Sequence, residues 1–401
     1  MTGHRFLKSR KVVWLMALLF PLQLWAMSGR EVPRFSLLTC GPGEEIYTLF
    51  GHTALRMQCP GQQLDLVFNY GIFNFHTPNF ALRFALGETD YLLGVTEYDR
   101  FLAQYAWEGR WVKEQPLQLD SLASVRLAEL LSENYQPQNR MYRYNFFFDN
   151  CSTRPRDLVE KALQGRVRYA EEMEQPQVDM TFRTLLHRYS EGHPWSRLGM
   201  DLCLGSEADR PISLRESMFV PLVLEQIFSS ASVVGTDGES HALTADENCL
   251  LDASDRESGM EWPTPMACSL LLLVLVAALT GWEWKRHRKL WGIDALLLTA
   301  AGLSGCILAF LTCFSSHPAV APNWLLLLLH PLHLLAMPWV VWSEIRGRKN
   351  LYMQLLSAVL IFFMLFWGII PQDIPLAVLP LALCLLLRCS THIIPIFKKQ
   401  E

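Results

Sequence analysis

Five apolar stretches near 266–284, 291–313, 323–343, 351–370 and 374–388 constrain this chain more than any other feature. Segments of about twenty apolar residues satisfy their backbone in lipid only as helices, so residues 266–401 read as an all-α membrane bundle. The fifth stretch is the weakest, being short and interrupted by Pro375 and Pro380. The charges between the stretches then set orientation. Lys285-Arg286-His287-Arg288-Lys289 follow the first, Arg346, Arg348 and Lys349 the third, and Arg388, Lys398 and Lys399 the fifth; 315–322 and 371–373 carry no Lys or Arg. The positive-inside rule makes the basic loops cytoplasmic and places residues 28–265 outside. The expectation is a multi-pass membrane protein with its N-terminal domain on the outer side.

The first 28 residues agree with export. Arg5, Lys8, Arg10 and Lys11 precede an apolar run from Val12 to Met27, with small residues at Ala26 and Ser28. This pattern fits a cleaved signal and a retained anchor equally well. Of 401 residues, 51% are hydrophobic and 18% charged, and the net charge is −4, so no basic surface for nucleic acid is implied. The exported part holds Cys40, Cys59, Cys151, Cys203 and Cys249 among ten cysteines in all. Five is odd, so an oxidising compartment leaves at least one thiol over. Proximity along the chain suggests Cys40 with Cys59 and Cys203 with Cys249, leaving Cys151.

Residues 29–231 read as an α+β domain. From Glu44 to Gly71 the chain alternates as strands do, with Gly61-Gln62 as a turn. Two antiparallel strands then place His52 near either Asp65 or Asn69. Another strand is expected around Trp111–Leu119. Asp120 is positioned to cap a helix to about Glu133, with Leu122, Val125, Leu130 and Leu131 inward. A further helix follows Cys151 through about Leu163, with Pro155 in its first turn and Leu158, Val159, Ala162 and Leu163 on one face. The run Met218–Phe228, like Trp195, reads as core packing, with a seat on the bilayer surface as the alternative. Residues 232–265 read as an acidic connector, with Asp237, Glu239, Asp246, Glu247, Asp252, Asp255, Glu257 and Glu261 against Arg256 alone.

Cys151 is the candidate nucleophile. Its neighbours Asp149, Asn150, Ser152, Thr153, Arg154 and Arg156 are polar, unlike the surroundings of a packed structural thiol. A cysteine at a helix start near a cation has a thiol pKa of about 3.5–7.5, so the expectation is a thiolate. Such a nucleophile needs a base, and a base needs an orienting group. His187 and His193 read as surface residues and His241 lies in the connector; spacing alone leaves His52 and His76 as rivals.

A histidine on a strand followed by a cysteine at a helix start resembles the circularly permuted papain-type arrangement of NlpC/P60-like and lecithin:retinol acyltransferase-like proteins. More closely, an ordered set of segments resembles the Lnb-type lipoprotein N-acyltransferases. The set is Phe50-Gly51-His52-Thr53-Ala54-Leu55-Arg56, Phe68-Asn69-Tyr70-Gly71-Ile72-Phe73-Asn74-Phe75, Phe146-Phe147-Phe148-Asp149-Asn150-Cys151 with Arg154 and Asp157, and Thr181-Phe182-Arg183. Pro194-Trp195, Gly199-Met200-Asp201-Leu202, Leu204-Gly205 and Asp209-Arg210 complete it. The resemblance implies a permuted papain-like exported domain before a transmembrane bundle, with Cys151 as nucleophile and His52 as base. Asn69 is favoured over Asp65 as the third group. It also implies a phospholipid acyl donor and a diacylated lipoprotein as acceptor, with no cofactor. Arg154 joins as a candidate substrate-binding residue. Within the membrane part, His330 and His333 are three apart, hence on one helical face beyond Asn323, and are candidates to meet a lipid head group. Two histidines alone make a thin metal-ligand set. The alternatives are a periplasmic cell-wall peptidase or amidase of the NlpC/P60 type and a non-enzymatic envelope factor.

Overall fold

The computed structural model describes residues 31–73, 77–169, 176–235, 238–253 and 261–393. The N-terminal basic and apolar segment and the rival His76 lie outside the described residues. Two compact units emerge, one made of Met1–Phe84, Glu88–Gln177 and Ile212–Glu257, the other of Ala85–Gly87, Val178–Pro211 and Ser258–Glu401.

Unit one is α+β, as expected. Its main sheet uses β1 (Arg34–Cys40), β2 (His52–Cys59), β3 (Leu64–Ile72), β4 (Asp90–Glu97), β5 (Val112–Pro116), β6 (Met141–Arg143) and β7 (Asn248–Leu251). The spatial order is β7-β5-β1-β2-β3-β4-β6, and every pairing is antiparallel. Strand alternation splits the side chains between two layers. Leu55, Met57, Phe68 and Tyr70 face helices α3 (Ser121–Tyr135), α4 (Thr153–Leu163) and α5 (Pro221–Ser230). Leu38, Cys40, Ala54 and Val67 face Phe101 and Tyr105 of α2 (Tyr98–Glu108). A seven-residue helix, α1 (Phe80–Leu86), precedes β4.

Several expectations shift in detail. Residues 44–50 form a turn, with Thr48 and Leu49 N–H both directed at Glu45 O, so the strand begins only at His52. Asp120 caps α3 by accepting from Ala123 N at 2.7 Å. The buried face of α3 is Ala123, Ser124, Leu127, Ala128 and Leu131, whereas Leu122 and Val125 are exposed. Small residues at 123, 124 and 128 let the helix axis approach the sheet, which turns the bulkier Leu122 and Val125 outward. Met218, Phe219, Val220, Leu224 and Phe228 are core, while Trp195 is exposed. The acidic stretch read as a connector supplies the edge strand β7, and Ser232–Val234 and Ser240–Ala242 join Val167–Arg168 in a small second sheet. Acidic residues fit there because an edge strand keeps one side in water.

The cysteine pairs suggested by chain proximity do not form, and all the exported cysteines are free. The β1–β2 register explains the first pair. Cys40 lies opposite His52 and Arg34 opposite Gln58, so Cys40 and Cys59 occupy opposite ends of the hairpin.

In unit two, three helices are long and apolar enough to cross a bilayer among the described residues: Pro265–Arg286, Trp291–Phe314 and Trp324–Ile345. Leu351–Leu365 and Val378–Ile393 are shorter apolar helices. The segment Val178–Pro211, which the sequence analysis assigns to the exported domain, packs on the loops of this unit. Gly205 N donates to Ala319 O at 2.8 Å, Asn323 Nδ2 to Leu202 O at 2.8 Å, and Gln372 Nε2 to Leu204 O at 3.0 Å. Its hub is Arg183, buried and paired with Asp201 at 2.9 Å and Asp209 at 2.7 Å. Asp201 also meets His187 Nε2 at 2.8 Å, so His187 is a structural partner rather than a free surface residue.

Candidate active site

His52 opens β2 directly after Gly51, whose φ of +79° and approach to Cys40 O exclude a side chain there. Asn69 stands opposite Ala54 on β3, so Asn69 and His52 are diagonal neighbours on one sheet face. His52 Nε2 lies 3.1 Å from Asn69 Oδ1. With the amide oxygen accepting, Nε2 carries the ring proton and Nδ1 keeps its lone pair. Asp65 is excluded from this role. It holds Arg56 at 2.5 Å, and Arg56 also pairs with Glu114 at 2.9 Å and lies over the Tyr98 ring.

Cys151 reaches the same strand end from the other layer. The backbone N–H of Thr53, the residue after His52, is directed at the sulfur, as is the cysteine's own N–H. Gly71 is the second requirement for a bare backbone: its φ is +95°, and a Cβ there would stand 3.6 Å from Cys151 Cβ.

The loop before the thiol is fixed by Asn150, which is 3% exposed. Its Oδ1 accepts from Ser152 N at 2.8 Å and Thr153 N at 2.9 Å, while Nδ2 donates to Phe146 O and Phe219 O, both at 2.8 Å. Every hydrogen-bonding position of this amide is filled. Asn150 therefore caps α4, and Cys151 sits just outside the first turn. Ser152 Oγ adds a bond to Met218 O at 2.7 Å.

This geometry corrects the expected thiolate. Burial pushes the Cys151 thiol up to about 11, against the lowering effects of the Thr53 N–H, its own N–H and the Arg110 charge. Burial likewise takes the His52 imidazole down to about 4, with Asn69 opposing and Arg110 reinforcing the shift. Two helix-start donors that would favour a thiolate are already engaged by Asn150. Both shifts run toward the uncharged forms, thiol on Cys151 and imidazole on His52.

Arg110 had no sequence signal. Only 8% exposed, it donates from Nε to Gly41 O at 2.7 Å and from Nη1 to Glu108 at 2.7 Å, and it lies against the Tyr105 ring. Its Nη2 is buried without a hydrogen-bond partner among the described residues.

The three expected substrate-binding residues fare differently. Arg154 makes a two-pronged pair with Asp149 and stacks over Tyr142 at 3.6 Å, so it braces the loop. His333 is buried, with Nε2 at 2.9 Å from Leu328 O and Nδ1 at 2.6 Å from the Tyr352 hydroxyl. Neither ring nitrogen is left for a head group. His330 is exposed and lies before the helix Leu332–Ile345, because Pro331 interrupts the span. The two histidines therefore do not share a helical face.

Comparison with known families follows the same division of the chain. The Lnb N-terminal periplasmic domain matches residues 30–188, and the Lnb transmembrane domain matches residues 255–400. No curated protein and no solved structure matches. With an exported-type α+β domain and an apolar helical region each matched by its own part of one family, in order, the chain belongs to the Lnb family, an envelope group of the lipoprotein N-acyltransferase type.

Proposed function

We propose that this protein is an acyltransferase of the inner membrane, with its thiol domain in the periplasm. It moves a fatty acyl chain from a phospholipid ester, through a Cys151 thioester, to the N-terminal amine of a diacylglyceryl-cysteine lipoprotein. The observation that carries the reading is the Asn69–His52 pair at the strand end where the Thr53 N–H meets the Cys151 sulfur.

His52 Nδ1 takes the thiol proton as the sulfur attacks the ester carbonyl. The tetrahedral adduct expels the glycerol oxygen, which receives that proton, leaving a lysolipid and a thioester. The acceptor amine then attacks the thioester, loses a proton through His52, and releases the thiol. Asn69 keeps the imidazole in the tautomer that this sequence requires. The N–H groups of Thr53 and Cys151 are the candidate donors to the oxyanion, since those of Ser152 and Thr153 are engaged by Asn150.

A membrane part suits this substrate. Withdrawing a sixteen-carbon chain into water costs on the order of 11 kcal/mol at about 0.8 kcal/mol per CH₂. A donor of that kind has to be received from the bilayer, whereas a soluble peptide gives no reason for the helices.

The test is a hydroxylamine-sensitive acyl adduct on Cys151 of the purified membrane protein, absent in Cys151→Ala. Mass spectrometry of lipoprotein N-termini with and without the gene reads the acceptor. Unaltered N-acylation in a deletion strain with no second such enzyme refutes the transferase reading. Isotopic labelling of phospholipid alone separates a phospholipid donor from the acceptor's own glyceryl ester.

A further inference from the structure

A run of aromatic rings leads away from Cys151 within unit one. Tyr142 belongs to the apolar core of this unit, and Tyr144 and Cys151 both pack against that core. Tyr144 stacks on Tyr91 with centroids 4.1 Å apart, and Tyr91 on Phe73 at 4.9 Å. Phe73 stacks on Phe80 of α1 at 5.9 Å, and Phe80 on Phe84 at 6.2 Å. Successive planes differ by only 16°, 25°, 20° and 20°, so the rings form one continuous strip rather than an irregular cluster.

The far end of this strip is unusual for a water-facing domain. Helix α1 reads Phe-Ala-Leu-Arg-Phe-Ala-Leu, yet none of its residues is buried. Leu82 is 52% and Phe84 45% exposed, and Ile72 and Tyr47 beside Phe73 are exposed as well. Contiguous exposed apolar surface of this kind marks a binding site. The chain continues from Phe84 into Ala85–Gly87, which belong to the membrane unit, where Leu86 O accepts from Ser316 N and Oγ at 2.9 Å.

We infer that the strip Tyr144–Tyr91–Phe73–Phe80–Phe84 is the track for the acyl chain carried on Cys151, with the exposed apolar helix α1 as its entrance. This rests on the thioester reading above. The occupant follows from position: the strip starts in the apolar cluster that holds Cys151, where an acyl group would be attached, and ends on a helix with no buried residue whose Leu82 and Phe84 are exposed. Ring edges in near-parallel array offer a long hydrocarbon an unbroken apolar wall and offer a short one little beyond the first ring.

The experiment uses the full-length protein in detergent micelles, with p-nitrophenyl esters of a four-carbon and a sixteen-carbon acid as probes. Intact-mass spectrometry reads hydroxylamine-sensitive acylation of Cys151. For Phe80→Ser and for the double variant Leu82→Glu/Phe84→Glu, the ratio of long- to short-chain acylation rates should fall by about tenfold or more. Leu122→Glu, an equally exposed apolar site on α3, should keep the wild-type ratio. The double variant changes only exposed side chains, and iodoacetamide labelling of Cys151 at the wild-type rate confirms an intact site. An unchanged ratio, or equal loss for both esters, overturns the track while leaving the nucleophile in place. If the wild-type protein forms no Cys151 adduct with either ester, the thioester reading fails and the track falls with it.

Discussion

Replacing Asn69 by Asp converts the partner of His52 from a neutral amide into a carboxylate without moving it. The Oδ1 position is 3.1 Å from His52 Nε2. Unit charges at that distance interact by about 5 kcal/mol at an effective dielectric of about 20, before the cost of burying the new carboxylate. Opposite charges this close raise an imidazole pKa by about one to three units, which takes His52 from about 4 to about 5–7. The sign follows from charge: a carboxylate favours imidazolium, and an imidazolium in turn favours the Cys151 thiolate. Arg110 opposes the first effect and Glu108 supports it. The assay is the rate of Cys151 alkylation by iodoacetamide against pH, read by peptide mass spectrometry. In the wild type, with its thiol near 11, the logarithm of the rate should climb steadily from about pH 6 to 9 without a plateau. In Asn69→Asp a shoulder should emerge near the raised imidazole pKa. Acyl transfer by the wild type should stay level over the same interval, because the base is already neutral above about pH 4. A wild-type alkylation plateau at neutral pH would falsify the neutral-pair assignment.

Asn150→Ala removes an amide that makes four hydrogen bonds, three of them buried. It should cost about 3 kcal/mol in a denaturant melt and speed Cys151 alkylation as the loop loosens; a loss under about 1 kcal/mol contradicts the capping role. Arg388→Met strips the shared partner from Asp294 at 2.6 Å and Glu283 at 2.6 Å, all fully buried, and should destabilise the protein by about 3–5 kcal/mol. A thermal-shift measurement in detergent checks this, and a melting point equal to wild type rules the network out as a helix clamp. Alkylation without reductant, followed by mapping, should modify Cys40, Cys59, Cys203 and Cys249 individually once the chain is denatured; a linked peptide pair contradicts the free thiols.

The parts of this molecule visible in the sequence are those set by local pattern. Period-two alternation marks β2 and β3, and an Asp before an apolar helical face marks the cap of α3. Alternation left Asp65 and Asn69 both open as partners of His52, and the β2–β3 register, with Asn69 opposite Ala54, separates them. What pattern could not reach was set by distant partners. Asn150 reads as one more polar neighbour of Cys151 until Phe219 arrives to accept its second proton. Arg110 has no motif around it, and its position depends on Gly41 O across the sheet. The thiolate expectation failed for a related reason: helix-start chemistry is local, whereas desolvation of the sulfur comes from the core against which Cys151 packs. In the membrane part, Arg388 was read as one of the charges outside the fifth stretch. It lies within Val378–Ile393 and is buried by Asp294, Glu283 and Thr280 from other helices. The histidine pair misled because spacing was counted along an unbroken helix, and Pro331 breaks it.

The opposite pKa shifts of Cys151 and His52 and the proposed lipid substrate are linked by one physical requirement. A site that accepts hydrocarbon must be poor in water, and a water-poor site raises a thiol pKa and lowers that of an imidazole. Both shifts occur here, on Cys151 and His52. Papain-like thiolate–imidazolium pairs solve nucleophile activation by ionising in advance, which needs solvent or dipoles to hold two charges. Here the dipoles of the first helical turn are spent on Asn150, and the remaining aids are two N–H groups and the charge of Arg110. On the proposed mechanism, ionisation is deferred until the sulfur attacks, when His52 would take the proton and charge would develop on the carbonyl oxygen beside those same N–H groups. On this argument the orientation of His52 by Asn69 matters more than in an ion-pair enzyme, because the proton must move during the attack rather than before it.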